Sequence, residues 1–162
     1  MSGRSRRSAG LLLFRRTGHG PEVLLGHMGG PFFAGRDSGA WTVPKGEYGA
    51  EETPWDAARR EFREELGLPP PPGRAVALGE VRQTGGKTVT AWAVEADLDP
   101  AAVVPGTFTM EWPPRSGRTR EFPELDRVGW FGLGRARELI VTAQREFLDR
   151  LAEHARQAGP AG

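Results

Sequence analysis

The segment Thr53–Gly67, TPWDAARREFREELG, constrains this chain more than any other stretch. Thr53 is a natural N-cap, Pro54 suits the first helical position, and Asp56 stands where a capping box is completed. Gly67 suits the left-handed position that ends a helix, and the prolines at 69–72 cannot continue one. On a 3.6-residue wheel Trp55, Ala58, Phe62 and Leu66 gather into one stripe, so this helix lies on a core. Glu61, Glu64 and Glu65 occupy the neighbouring sector at i, i+3 and i+4 and flank that core. Carboxylates this close repel by about 3 kcal/mol per pair at an effective dielectric near 20, and by under about 1 kcal/mol in bulk water. The cluster is therefore either a solvated charged face or, once partly shielded, a site for a hard divalent cation.

The rest of the chain reads as strands around that helix. Ala9–Arg16 predicts a strand with the apolar centre Leu11–Phe14, and a turn at 17–21 leads into a second strand, Glu22–His27. Met28–Ala40 is a Gly-rich loop, after which Trp41–Val43 is a short strand running into Pro44-Lys45-Gly46. Gly46 permits backbone geometry that other residues avoid, so a ligand can approach closely there. Residues 47–52 read as a loop. Ala75–Gln83 and Lys87–Ala96 predict a second hairpin, Thr107–Trp112 a further strand, and Arg127–Phe131 the last strand. Leu133–Gln157 reads as helix, broken near Thr142. Between the last strands, Pro113–Glu124 predicts a long polar loop, a feature that is often functional in a compact domain. His19 and His154 read as exposed. Three regions follow: a disordered basic tail over 1–8, a single domain over 9–157 and a flexible end over 158–162.

Composition excludes several kinds of chemistry. The chain of 162 residues has no cysteine, which removes disulfides, zinc–thiolate sites and thiol nucleophiles and fits a reducing compartment. No apolar run is long enough to span a membrane and no leader layout is present, so a cytoplasmic protein with no membrane partner is expected. A net charge of +1 argues against an extended nucleic-acid track. Charge is nonetheless unevenly spread. Residues 46–68 hold seven acidic and three basic side chains, whereas Arg115, Arg118 and Arg120 share a stretch with no acid among them. An acidic patch facing basic residues suits a polyphosphate that arrives with a metal. Lys45 and Lys87 are the two lysines among 22 basic residues, which marks them as positions where a guanidinium does not substitute. Phe32, Phe33 and Arg36 stand in the Gly-rich loop, where the aromatics suit either a plug on the core edge or a stacking surface for a base.

Gly46, Glu52 and the run Arg60-Glu61-Phe62-Arg63-Glu64-Glu65-Leu66-Gly67-Leu68 fall in one 23-residue frame. That frame resembles the Nudix box, Gx5Ex7REUxEExGU, at every specified position. The order of elements is also similar to a Nudix domain, which implies an α/β fold with a mixed β-sheet sandwiched between helices. The resemblance implies a metal-dependent pyrophosphohydrolase that cleaves a phosphoanhydride in a nucleoside diphosphate linked to another moiety, with Mg2+ or Mn2+. Glu64 and Glu65 would be the principal metal ligands, and Glu61 a third ligand or the general base. The Lys45 carbonyl would be a further ligand. Gly46, Glu52, Arg60 and Gly67 would hold the box in shape. Such families often add a glutamate from a late loop, for which Glu121 and Glu124 stand first and Glu111 third. Phe33, Arg36, Lys45, Lys87, Arg115 and Arg118 are the substrate-binding candidates.

Trp41-Thr42-Val43-Pro44-Lys45-Gly46 is similar to the WTxPKG segment of dinucleoside polyphosphate and MutT-like triphosphate hydrolases. That similarity leans the expectation to dinucleoside polyphosphates or (d)NTPs. The markers of the ADP-ribose and diadenosine polyphosphate types are both missing: Gln83 stands at the proline position of the first, and Gly85 and Gly86 at the tyrosine position of the second. An ADP-ribose or other nucleotide-sugar pyrophosphatase, a decapping enzyme and a non-catalytic nucleotide-binding module stay open as alternatives. A small-molecule nucleotide is the expected partner, and a homodimer is left open.

Overall fold

The Leu11–Phe14 run lacks polar alternation because both of its faces are covered. In the computed structural model, which describes residues 6–158, strand β1 (Arg7–Thr17) sends Leu12 and Phe14 into one hydrophobic cluster. It sends Ala9, Leu11 and Leu13 into another. Successive side chains of a strand point to opposite faces, so one short run serves two cores. The first cluster is closed by two helices, α2 (Leu133–Leu139) and α3 (Arg145–Gln157), through Leu139, Phe147, Leu148 and Leu151. The second is closed by α1 (Pro54–Leu66) through Ala57, Ala58, Phe62 and Leu66. Helices therefore sandwich a mixed sheet, the expected α/β arrangement.

Seven strands make that sheet. β1 runs parallel to β6 (Thr88–Glu95), which pairs with β5 (Ala75–Arg82). On its other edge β1 pairs with β2 (Gly20–Met28) and with β4 (Lys45–Glu47). β2 also pairs with β3 (Trp41–Thr42) and with β9 (Leu125–Gly132). A separate two-stranded ribbon is formed by β7 (Thr107–Glu111) and β8 (Thr119–Pro123).

α1 has the ends its sequence dictates. The Asp56 N–H donates to Thr53 Oγ1 at 3.1 Å, and Gly67 sits at φ 67°, its N–H donating to the Arg63 carbonyl. A side chain at Gly67 would also collide with the Val104 carbonyl, 2.3 Å from a Cβ placed there.

Several expectations are corrected. Arg7 and Ser8, expected in the tail over 1–8, belong to β1, and Ser8 is buried between β4 and β6. Residues 1–5 and 159–162 lie outside the described residues. The expected loop 47–52 begins as strand, since Glu47 ends β4. The long polar loop at 113–124 contains β8, whose Phe122 ring meets Phe108 of β7 at 6.0 Å. The C-terminal helix is two helices separated by a 3-10 turn at Thr142–Gln144. Gln144 is fully buried there and bonds Thr42, the Val43 N–H and Gln83, which explains the break near the expected position. His154 is half-buried and not exposed, whereas His19 is exposed as expected.

Candidate active site

β1 and β2 are paired only from Phe14–Val23 to the turn at Thr17–Gly20. Beyond that point they part, and β3, Pro44 and β4 fill the fork between them. α1 packs across β1 and β4, at the mouth of the fork. The result is an open cleft of about 460 Å³. Its walls are Ser8, Met28, Thr42 and Lys45–Glu47 from the strands, Glu61, Glu64 and Glu65 from α1, and Glu124–Leu125 at the entry to β9.

Arg60 organises one side of the carboxylate cluster. Its Nε and Nη2 each donate to Glu52 at 2.8 Å, a bidentate pair that ties the preceding loop to the helix. Its Nη1 donates to Glu61 at 2.8 Å and to Glu64 at 3.1 Å. Glu65 turns the other way and accepts the Lys45 backbone N–H at 3.1 Å. Burial pushes the Glu65 carboxyl up to about 8; Glu61 and Glu124 add to the rise, and Lys45 opposes it. Burial also raises Glu61 against the pull of Arg60, and it raises Glu124 against the pull of Lys45. The Lys45 ammonium is held below its ordinary value, first by burial, while Glu65 opposes the shift and Lys87 adds to it.

Gly46 has a cause different from the one expected. Its φ is outside the left-handed region, so no unusual backbone geometry is needed. A Cβ placed there would instead lie 1.9 Å from a Glu61 carboxylate oxygen. A side chain at 46 would therefore push the Glu61 carboxylate away from its place beside Arg60.

The remaining candidates are separated by the fold. Of the late glutamates, Glu124 lines the cleft. Glu121 is exposed on β8 opposite Thr109, and Glu111 accepts the Arg115 and Gly117 N–H groups, closing the ribbon's own loop. Neither is among the residues lining the cleft. Arg115 and Arg118 stand exposed at the tip of the β7–β8 ribbon, and Arg36 and Lys87 are exposed on loops. Phe33 packs against the first core cluster and serves as the plug. Phe32 is 59% exposed and meets the half-buried Trp112 edge-on at 5.7 Å. The sequence reading missed Ser8, Met28, Thr42, Glu47 and Leu125 as walls of the cleft, and no local pattern marks them. Phe108 and Phe122, flanked by alternating polar residues, were a legible sign of the ribbon.

The donors around the cleft are hard oxygens, with Lys45 and Arg60 as the nearby cations, and this set fits Mg2+ or Mn2+. Among the described residues no three acidic groups are gathered into a finished cation cage. Arg60 holds an oxygen of Glu61 and one of Glu64 instead.

Comparisons with known proteins bear on the family and the fold. Residues 4–151 match the family model described as NUDIX domain. An RNA pyrophosphohydrolase of Gluconacetobacter diazotrophicus is 38% identical over 80 residues, which are 46% of this chain and 41% of that protein. The matched part thus spans less than half the length of that curated relative. A C. elegans Ap4A hydrolase in a binary complex superposes with a TM-score of 0.67 at 22% identity, covering 96% of this chain and 99% of that one. The NUDIX domain of Shewanella oneidensis NrtR, complexed with ADP ribose, gives a TM-score of 0.61 at 13% identity over 94% of this chain and 90% of that one. At these identities the two structural likenesses concern the fold alone. No described helix is long and apolar enough to cross a membrane.

Proposed function

We propose that this chain, which belongs to the NUDIX domain family, is a metal-dependent pyrophosphohydrolase acting on a nucleotide polyphosphate. The observation that carries the reading is the meeting of Glu61, Glu64, Glu65, Glu124 and Lys45 in one open cleft. Glu64 and Glu65 are the principal metal ligands, with Glu61 and the Lys45 carbonyl as further ones. A magnesium or manganese ion held there supplies polarisation of the phosphoryl oxygens and offsets the charge that develops on them.

The chain's own groups do the rest. Glu124, a carboxyl raised by burial, takes a proton from water as the water oxygen attacks an anhydride phosphorus. The bond from that phosphorus to the bridging oxygen breaks, and its electron pair leaves with the departing phosphate. Lys45 stands where an ammonium offsets charge on the phosphates. Glu52 and Arg60 keep the box loop on the helix through their bidentate pair.

For the substrate we favour dinucleoside polyphosphates or (d)NTPs, on the strength of the Trp41–Gly46 segment. The Ap4A hydrolase fold likeness is consistent with that choice, and the RNA pyrophosphohydrolase relative adds a 5′-polyphosphate on RNA to the candidates. The second reading is a module that binds a nucleotide without cleaving it; the NrtR domain, complexed with ADP ribose, supports nucleotide binding by this fold and does not separate the two readings. A complete set of box carboxylates favours the enzyme. The deciding experiment is a panel of diadenosine polyphosphates, (d)NTPs, ADP-ribose and triphosphorylated RNA with Mg2+ and Mn2+. Turnover of one class that disappears with chelator supports the enzyme, whereas tight binding without turnover across the panel supports the module.

A further inference from the structure

β9 does not pair evenly with β2. His27 faces Arg127, and the next residue, Met28, faces Leu125, which makes Asp126 an extra residue in the ladder. A bulge of this kind bends its strand and re-aims nearby side chains. This one directly follows Glu124 and Leu125, the residues through which the strand reaches the cleft.

The extra residue is anchored. Both Asp126 carboxylate oxygens face His27 Nδ1, at 2.9 and 3.0 Å. His27 is 1% exposed and packs edge-on against Trp41, and its Nε2 lies 2.6 Å from the Arg36 carbonyl. Carboxylate and carbonyl oxygens only accept, so each ring nitrogen faces a group that needs a donor. Glu124 is also tied through its main chain. Its N–H donates to the Gly106 carbonyl at 2.7 Å, and its carbonyl accepts the Gly29 N–H at 3.0 Å. Gly29 leaves no room for a side chain, because a Cβ there would lie 1.9 Å from the Pro123 carbonyl oxygen.

We infer that His27 and Asp126 are positioning residues, a hydrogen bond from a buried imidazole to a partly exposed carboxylate that locks the β9 bulge and thereby aims Glu124 into the cleft. This rests on the role proposed above for Glu124. The second arm of His27, on the Arg36 carbonyl, fastens the Gly-rich loop to the same point, so one imidazole sets both the loop and the carboxylate.

The test is a double-mutant cycle measured as kcat and KM on the nucleotide that the panel identifies. Asp126→Ala is expected to lower kcat by about 10-fold or more and to move KM by less than about twofold, the pattern of a lost transition-state interaction. Asp126→Asn, which still offers an oxygen to Nδ1–H, recovers most of that loss. In a Glu124→Gln background Asp126→Ala costs less than about twofold, because the carboxylate it would misplace is gone. An equal loss in both backgrounds, or no loss in the single variant, overturns the inference. Wild-type kcat in Glu124→Gln would instead remove the base role of Glu124. Should Asp126→Ala fail to fold, the same cycle with Asp126→Ser, whose shorter side chain cannot reach His27 Nδ1, decides. A crystal structure of Asp126→Asn or Asp126→Ala is a readout free of turnover. A Glu124 carboxylate unmoved in Asp126→Ala overturns the inference, and one displaced there but restored in Asp126→Asn supports it.

Discussion

Arg60 shows how one side chain can hold a carboxylate cluster together. Its guanidinium spans Glu52, Glu61 and Glu64, so three acids share one cation while Glu65 is left to a backbone N–H. Glu65 consequently carries the largest burden of burial. The Glu64→Gln and Glu65→Gln variants are each expected to lower turnover by about 10²-fold or more, a size typical of losing one electrostatic contact to the reacting group. Far-UV circular dichroism should be unchanged, and near-normal rates in both variants would sink the assignment.

The raised Glu65 carboxyl also predicts a pH dependence of stability. In the unfolded chain it returns to its ordinary value of 4.5, while in the fold it stands at about 8. Between those values the folded state holds a proton that the unfolded state has released, so stability declines as pH rises across the window. With chelator present, the melting temperature should fall between pH 5 and pH 8.5, and Glu65→Gln should flatten the slope. A flat profile for the unsubstituted protein contradicts the prediction. Mg2+ binds the ionised form and should offset the decline at the alkaline end.

At the level of elements, α1 is specified by its own ends and the β7–β8 ribbon is not. Removing the cap with Thr53→Ala should cost about 1 kcal/mol. For a domain of this size that is a fall in melting temperature of roughly 2–4 °C. An unchanged melting temperature would mean that Thr53 Oγ1 does not cap the helix in solution. The ribbon, by contrast, is held by a ring pair and a cross-strand ladder that only pairing creates. The guanidinium groups of Arg115, Arg118 and Arg120 have no carboxylate partner among the described residues, which leaves them free to meet a phosphate-bearing ligand. Arg118→Ala should therefore raise KM several-fold with kcat within about twofold, the signature of lost uniform binding. A fall in kcat at constant KM would place Arg118 in transition-state stabilisation instead.

At the scale of the molecule, the sheet separates two cores and the site lies at the fork where β1 and β2 part. Phe62 belongs to the core beneath the carboxylates and is fully buried. Phe62→Ala is expected to cost about 3–5 kcal/mol and to lower activity through loss of the folded state. Equilibrium denaturation checks the first part, and specific activity per folded molecule, expected to stay near normal, checks the second.

The sequence by itself determined the box helix, its caps, its buried stripe and the three carboxylates beside that stripe, because all of these follow from spacing within one helical segment. It also limited the late glutamate to three candidates and marked Lys45 as unusual. Only the tertiary structure decided that Glu124 is the one in the cleft, since that depends on a bulge in a strand pair between residues about 100 positions apart. It likewise decided the reason for Gly46, where the obstacle is a carboxylate from another element and not a backbone angle. Local chemistry is written in neighbours along the chain. Which distant side chains share a space is set by packing, and no single segment carries that information.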